Sequence, residues 1–117
     1  MKFSSIALGA IAMALSINIF AAEPVAFEVI VAKPKAGVTM TEFLARDKDV
    51  ERNFVVKQKG FLSRDVAVSK DGEVFVIVQW ASLKDAEDAA TAIRSDPTAM
   101  ARRDTGDWIL FRHYVKQ

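Results

Sequence analysis

A carboxylate within an apolar helical face is the feature of this sequence most able to do chemistry. When the segment after Thr39 is wound at about 100° per residue, one face is apolar and Asp47 lies near its centre. Because burying an unpaired charge is costly, Asp47 either serves a pocket as an acid, base or ligand anchor, or is paired with an arginine or capped by backbone. The residues alone leave both interpretations open. The apolar positions of this face are Met40, Phe43, Leu44, Val50 and Phe54.

Other side chains complete the candidate site. His113, the only histidine, lies among apolar residues near the C-terminus, where a neutral imidazole can transfer protons near neutral pH. Trp80 could stack on a planar ligand, and Arg64 could bind a ligand carboxylate or neutralise Asp47. The structural alternatives are a satisfied histidine, a core tryptophan and an Arg64–Asp47 ion pair. We predict Asp47 and His113 as catalytic residues, and Trp80, Arg64 and Phe54 as substrate-binding residues.

The sequence contains no pattern of a cofactor or metal site. It has no cysteine, which excludes a disulfide framework, a thiolate metal site and a thiol nucleophile. A glycine-rich phosphate loop, a Ser-His-Asp set and a nucleotide fingerprint are also absent from the sequence. We therefore predict neither a cofactor nor a metal.

The N-terminal residues are typical of a secretory signal. Met1 and Lys2 precede an uncharged stretch, Phe3–Ala22, that is diluted by serine, glycine and asparagine. About 20 residues could cross a bilayer, but the strongly apolar part is nearer the roughly 7–15 residues of a signal h-region. We predict a signal peptide over 1–22 that is removed, and one domain over 23–117 that is periplasmic or secreted.

The mature domain is formally neutral. Lys2 is one of 16 basic residues, so its removal leaves 15 basic residues against 15 acidic ones. A neutral domain without a basic run is poorly suited to bind a phosphate backbone. We therefore predict a small-molecule ligand as partner, no nucleic acid, and no membrane after signal cleavage.

The turns and helix caps predict the element order β-α-β-β-α-β. Strands are predicted over 27–33, 61–69, 73–80 and 108–115, with an Asp71-Gly72 turn between the middle two. Capping patterns predict helices after Thr39 and Ser82, over 40–59 and 82–94, and Asp96-Pro97 starts a short helical piece. This order predicts an α+β, ferredoxin-like fold in which two helices cover one face of a four-stranded antiparallel sheet.

Both faces of this sheet are predicted to be apolar. Two helices can bury only one face, and the other would expose more apolar surface than a soluble monomer usually tolerates. A second copy packed sheet against sheet is the simplest cover, which predicts a homodimer. In the predicted alternation, Val74, Val76, Val78 and Trp80 oppose Phe75 and Ile77, whereas Ile109, Phe111 and Val115 oppose Trp108, Leu110 and Tyr114.

Several segments resemble the antibiotic-biosynthesis-monooxygenase-like (ABM) family of the dimeric α+β barrel superfamily. They are Lys35–Val38 before the first helix, Lys59–Arg64 entering the second strand, Val78–Ala86 leading into the second helix, and Asp96-Pro97 after it. The resemblance implies a dimeric α+β barrel with one pocket per subunit, between the sheet and its helices. Members include cofactor-free quinol or polyketide oxygenases and haem-degrading enzymes, so the resemblance is specific for the fold and only suggestive for activity.

The match to either enzyme branch is incomplete. The haem-degrading branch uses a histidine on the second helix, and this second helix has none. The cofactor-free branch pairs an asparagine near the first strand with a tryptophan after the third. Trp80 matches that tryptophan, but the first strand has no asparagine, and Asn53 is on the helix. We expect an exported dimeric barrel that binds a small, largely apolar or aromatic molecule and acts as a cofactor-independent monooxygenase; the alternative is a non-catalytic ligand-binding or interaction module.

Overall fold

The computed structural model describes residues 23–117, and the predicted signal peptide over 1–22 lies outside the described residues. The predicted elements are all present, but both long helices end earlier than expected, and each is followed by a short 3-10 helix, Val55–Lys57 or Ile93–Ser95. The strands are β1 (Ala26–Pro34), β2 (Phe61–Val68), β3 (Val74–Trp80) and β4 (Gly106–Val115); the α-helices are α1 (Met40–Asn53), α2 (Leu83–Ala92) and α3 (Pro97–Arg103).

Each α-helix begins at a side chain that caps its first turn. Thr39, Ser82 and Asp96 each accept a hydrogen bond from the backbone N–H three residues later, at 3.1, 3.1 and 2.9 Å. These bonds satisfy donors that have no partner inside the helix. In α3, Pro97 occupies the first turn, where its missing N–H costs nothing. The predicted starts of all three helices are therefore confirmed.

The sheet has the strand order β2-β3-β1-β4, and all its neighbouring strands are antiparallel. Gly72 has φ +82° between β2 and β3, a backbone conformation that suits glycine in a tight hairpin. The ferredoxin-like α+β prediction is confirmed. The central strands β1 and β3 carry the side chains that meet the helices, so the interior of the domain lies on one face of the sheet.

The core is built from small and β-branched side chains. Phe43 and Val50 of α1 are buried against the sheet, as are Ala86 and Ala89 of α2. Because alanines leave little side-chain volume between α2 and the sheet, this helix contributes less bulk to the core than α1 does. On β3 the buried residues are Val74, Val76, Val78 and Trp80, in the predicted alternation.

The predicted alternation of β4 is wrong at its start. Ala32 of β1 pairs with Trp108, whereas Val31 pairs with Leu110, so Ile109 is an extra residue in the strand. Such a bulge shifts the register by one residue. Trp108 therefore lies on the same face as Phe111 and packs against Phe43 of α1, with ring centroids 5.8 Å apart.

The opposite face of the sheet carries no helix within residues 23–117. Phe75 and Tyr114 are 41% and 44% exposed there, and alternate residues of β1 on this face, such as Val29, are half-buried. The structure thus leaves one apolar face of the sheet open.

None of the helices in the described part of the chain is both long and apolar enough to cross a membrane.

Candidate functional site

A small cavity of about 60 Å³ lies between the sheet and the helices. Polar groups reach it from four elements: Glu28 from β1, Arg64 from β2, Trp80 from the end of β3 and Arg102 from α3. The rest of its wall is apolar and includes Phe54. Because a cavity of about 10–15 Å³ can already hold a water molecule and one of about 150 Å³ holds benzene, this cavity can receive a hydroxyl or carboxylate group but not an aromatic ring.

The cavity adjoins a larger cleft of about 450 Å³ between α2, α3 and β4. Trp108 and Phe111 are 38% and 54% exposed, so the cleft opens to solvent. Its volume is within the range of about 300–1,000 Å³ that is usual for ligand pockets. The charged residues in its wall, Arg94, Arg102 and Arg103, are all basic. The residues that line both the cavity and the cleft are Ile30, Ala90, Ile93, Arg102 and Phe111.

Two buried hydrogen-bond donors at the cavity lack a partner. Nε1 of Trp80 and Nε of Arg102 make no hydrogen bond within residues 23–117, and both atoms are buried. Buried polar groups are nearly always hydrogen-bonded, and a donor without a partner costs about 1–3 kcal/mol. Both residues line the same cavity. The cavity is therefore the candidate place for an acceptor of these two donors.

Asp47 forms a cluster with the two arginines that line this cavity. Its Oδ1 atom accepts hydrogen bonds from Nη2 of Arg64 at 2.8 Å and from Nη1 of Arg102 at 3.0 Å. Arg64 also donates to Oε1 of Glu51 at 3.1 Å. The side chains of Asp47 and Arg64 are only 5% and 2% exposed. The arginine-paired alternative for Asp47 is thus the one that the geometry matches.

The cluster stabilises the charged form of Asp47. Burial alone would raise the pKa of this carboxyl, but the hydrogen bond and charge of Arg64, followed by those of Arg102, outweigh burial and lower it. Burial also opposes the Arg64 cation, whose pKa is nevertheless raised by Asp47 and Glu51. For Arg102, burial prevails and lowers the pKa, although an arginine stays protonated. Arg102 is therefore the less well compensated of the two cations.

A second buried carboxylate, Glu28, is paired with His113. Its Oε1 atom lies 2.9 Å from Nε2 of His113, and the side chains are 10% and 16% exposed. When Glu28 is ionised, Nε2 of His113 must be the donor. The imidazole ring also packs edge-on against Phe111, with centroids 5.4 Å apart. Glu28 faces the cavity, and His113 supports it from β4.

Glu28 has the opposite electrostatic environment to Asp47. Burial raises the pKa of Glu28, and the hydrogen bond and charge of His113 and the more distant charges of Arg102 and Arg64 only partly offset it. A carboxylate with a raised pKa is a stronger base than an exposed one. Glu28 is thus suited to take a proton from a group in the cavity.

Some of the predicted site residues line the cavity, and the others contact a residue that lines it. Trp80, Arg64 and Phe54 line it. Asp47 reaches it only through the arginines, and itself lines a separate groove of about 370 Å³ between α1 and β2. His113 reaches it through Glu28. Of the three residues predicted to share one face of β4, Phe111 and Val115 lie on the face of His113, whereas Ile109 is the extra residue of the bulge.

Sequence reasoning missed Glu28 and Arg102. Glu28 could have been found, because it is the charged residue in the buried alternation of β1, which otherwise holds Ala26, Ile30 and Ala32. Arg102 had no such signal. It is followed directly by Arg103, and the pattern of the short helix α3 does not indicate that Arg102 is buried and Arg103 exposed. Within residues 23–117, no group of three or more His, Asp or Glu side chains is arranged to hold a metal ion.

Solved structures with this fold include a cofactor-independent oxygenase. No known protein family and no curated protein matches the chain in sequence. SnoaB, a cofactor-independent oxygenase from Streptomyces nogalater, superimposes with a TM-score of 0.64 at 17% identity, over 80% of this chain and 92% of that one.

Other structures with this fold carry provisional names. A protein from Chloroflexus aurantiacus, provisionally assigned as an antibiotic biosynthesis monooxygenase, has a TM-score of 0.59 and 13% identity over 80% of this chain and 93% of its own. A provisionally assigned monooxygenase from Shewanella loihica has a TM-score of 0.55 and 20% identity, over 80% and 94%. At these identities the similarity establishes the fold alone, and at that level the resemblance to ABM-like proteins is confirmed.

Proposed function

We propose that the cleft binds a small, largely apolar aromatic molecule that carries one acidic oxygen, and that the acidic oxygen enters the inner cavity. The observation that carries this proposal is the pair of buried donors without partners, Trp80 Nε1 and Arg102 Nε, at the closed end of an apolar cleft. Both donors belong to residues that line this cavity, so a bound acceptor would satisfy them, and the charge of Arg102 favours an anionic one.

Glu28 and His113 supply the proton acceptor for this ligand. Glu28 lines the cavity and its pKa is raised by burial, so its carboxylate can take the proton of an aromatic hydroxyl group. The resulting oxyanion is stabilised by the donors of Trp80 and Arg102. Deprotonation makes the aromatic ring electron-rich, which prepares it to react with molecular oxygen.

The proposed reaction is a monooxygenation without a bound cofactor. A hydroxylated aromatic such as 1-naphthol and O2 give the quinone and water: one oxygen atom forms the new carbonyl group, and the other leaves as water with the two hydrogens removed from the substrate. The substrate itself supplies the electrons, so no other reductant is needed. SnoaB, which shares the fold, is a cofactor-independent oxygenase, and this supports the proposal.

A non-catalytic binding module is the second candidate. It is favoured by the engagement of Asp47, a predicted catalytic residue whose carboxylate is held by two arginines. A binder needs only the cleft and the two donors of the cavity. The two functions differ in whether O2 is consumed after the ligand binds.

Tryptophan fluorescence titration with 1-naphthol tests the binding site, because Trp80 and Trp108 both line it. Ala90→Phe should abolish binding, since Ala90 lines both the cavity and the cleft. Ala92→Phe is the matched control, because Ala92 lies exposed on the same helix. Equal binding by wild type and Ala90→Phe would refute the proposed site. Native mass spectrometry of the purified protein would identify a co-purified ligand.

An oxygen electrode then separates the two candidate functions. The enzyme consumes O2 with 1-naphthol and forms naphthoquinone, and Glu28→Gln should lose turnover while it still binds 1-naphthol. Binding without any O2 consumption by the wild type would favour the binding module.

We also propose that the mature protein is a homodimer packed through the open face of the sheet. Phe75 and Tyr114 are exposed there, and contiguous apolar surface of this kind usually marks an interface. Val76 is 3% exposed beneath the helices, whereas Ile77 lies on the open face and is half-buried. Ile77→Lys should therefore give a folded monomer in sedimentation analysis, and Val76→Lys an unfolded chain. A monomeric wild type at micromolar concentration would contradict the dimer.

Export follows from the proposed signal peptide. Residues 1–22 should be absent from the mature protein, which should begin near Glu23 in the periplasm or the medium. Intact-mass measurement of protein from that compartment tests this, and retention of Met1–Ala22 in a membrane fraction would overturn it.

A further inference from the structure

One carboxylate oxygen fixes the position of two arginines from different elements. Oδ1 of Asp47, on α1, accepts from Arg64 on β2 at 2.8 Å and from Arg102 on α3 at 3.0 Å. The carboxylate is buried, with 5% of its side chain exposed. Charge-assisted bonds to a planar guanidinium are directional as well as strong. Asp47 therefore sets where the Arg102 guanidinium lies relative to the sheet.

The remaining contacts of Arg102 leave its Nε donor available. Its guanidinium carbon lies 5.1 Å from the ring centroid of Trp108, within the distance of a cation–π contact. Asp47 holds Nη1, while Nε is buried without a partner in the described part of the chain. A planar group that is bonded at one end and packed on an indole cannot turn freely. Nε is thus fixed as a donor in a residue that lines the cavity.

We propose that Asp47 is a positioning residue: it holds Arg102 so that Nε and the guanidinium charge meet the anionic oxygen of a ligand, and it thereby makes the cleft select an ionised aromatic acid over its neutral isostere. This inference rests on the function proposed above. It gives Asp47 a role in recognition without contact between Asp47 and the ligand.

A role as a simple counter-charge would have the opposite effect. If Asp47 only offset the positive charge of the arginines, its removal would make the cavity more positive and would strengthen the binding of an anion. If Asp47 positions Arg102, its removal releases the guanidinium and weakens the binding of the anion. The two roles therefore differ in the sign of the change.

The experiment compares 2-naphthoate with 2-naphthamide, two ligands of nearly the same shape that differ in charge. The measured quantity is the ratio of the Kd of the amide to the Kd of the acid near neutral pH. In the wild type we expect a ratio of at least about fivefold, because charge-assisted hydrogen bonds are roughly twice as strong as neutral ones. In Asp47→Ala the ratio should fall to about one, and a ratio that is unchanged or higher would overturn the inference.

Asp47→Glu keeps the negative charge, so the two buried arginines retain a counter-charge and this variant should fold even if Asp47→Ala does not. It moves the carboxylate by one methylene group, so positioning predicts a lower ratio, whereas a counter-charge predicts an unchanged one. Asp88→Ala and Asp88→Glu are matched controls, because Asp88 forms an exposed ion pair with Lys84 on α2; both should keep the wild-type ratio. A wild type that binds neither compound nor 1-naphthol would overturn the proposed function together with this inference. A wild type that binds 1-naphthol but does not prefer the acid to the amide, or an acid-selective wild type with an unchanged Asp47→Glu ratio, would overturn only the inference.

Discussion

Two buried carboxylates act on Arg102, Asp47 through a hydrogen bond and Glu28 through its charge, and their environments are opposite. Asp47 accepts charge-assisted bonds from two arginines, and its pKa is lowered although burial acts to raise it. Glu28 is bonded to His113, and burial raises its pKa. The same functional group is thus stabilised as an anion in one place and prepared to exchange a proton in the other.

The difference between Asp47 and Glu28 separates a structural role of a buried carboxylate from a chemical one. Removal of a carboxylate that is bonded to buried cations destabilises the fold, because those cations are then left without a counter-charge. When burial disfavours the charged form of a carboxylate more than its partners stabilise it, ionisation in the folded state costs free energy. Such costs are common at functional sites. Stability measurements can therefore distinguish the two residues without knowledge of the ligand.

The largest expected effect is on Asp47. Asp47→Leu leaves two buried arginines without their shared partner, and we expect it to lower the free energy of unfolding by about 3–5 kcal/mol. Urea denaturation and the melting temperature measure this loss. A variant that melts at or above the wild-type temperature would contradict the structural role of the cluster.

The double variant Asp47→Leu/Arg64→Leu sharpens this result. It removes one of the two stranded cations but leaves Arg102, so it should restore only part of the lost stability. Full recovery would mean that the Arg102–Asp47 bond contributes nothing.

An intermediate effect is expected on the acid side of the pH–stability curve. Because the pKa of Asp47 is lowered from its ordinary value of 3.8, its stabilisation is complete above that value and is lost as the pH falls through the folded-state pKa. The slope from one such group is at most about 1.4 kcal/mol per pH unit. Urea unfolding at stepwise lower pH should show this loss in the wild type and not in Asp47→Asn.

The smallest expected effect is on Glu28, and it has the opposite sign. Because its pKa is raised from the ordinary value of 4.5, its stabilisation is complete below that value and is lost as the pH rises through the folded-state pKa. Glu28→Gln keeps an acceptor for His113 without the buried charge. We expect it to be as stable as the wild type near neutral pH or more stable by up to about 1 kcal/mol. A loss of several kcal/mol would place Glu28 in the same class as Asp47.

Local signals made most of the fold predictable. Thr39, Ser82 and Asp96 cap helices through their own side chains, so the helix starts depend on a few adjacent residues. The bulge at Ile109 was not predictable, because it arises from the pairing of β4 with β1 across the chain. A one-residue register shift leaves no mark in the local alternation and moves Trp108 to the other face.

The candidate site was predictable only in part, because it depends on which charges meet. The position of Asp47 in an apolar face indicated that it needs a partner, and Arg64 was among the partners considered. With 16 basic residues in the chain, nothing in the sequence singles out Arg102, which is 55 positions away from Asp47. The pairing of Glu28 with His113 spans 85 positions and depends on the same β1–β4 register.

The absorption spectrum of bound 1-naphthol tests the central claim most directly, because the neutral and ionised forms of this compound absorb at different wavelengths. We predict that, near neutral pH, wild-type protein binds 1-naphthol as the anion, with its oxygen at Trp80 and Arg102 and its proton on the Glu28–His113 pair. Glu28→Gln should bind the neutral form. A neutral spectrum for 1-naphthol bound to the wild type would contradict the assignment of Glu28 as the proton acceptor, and the absence of any binding would contradict the assignment of the cleft.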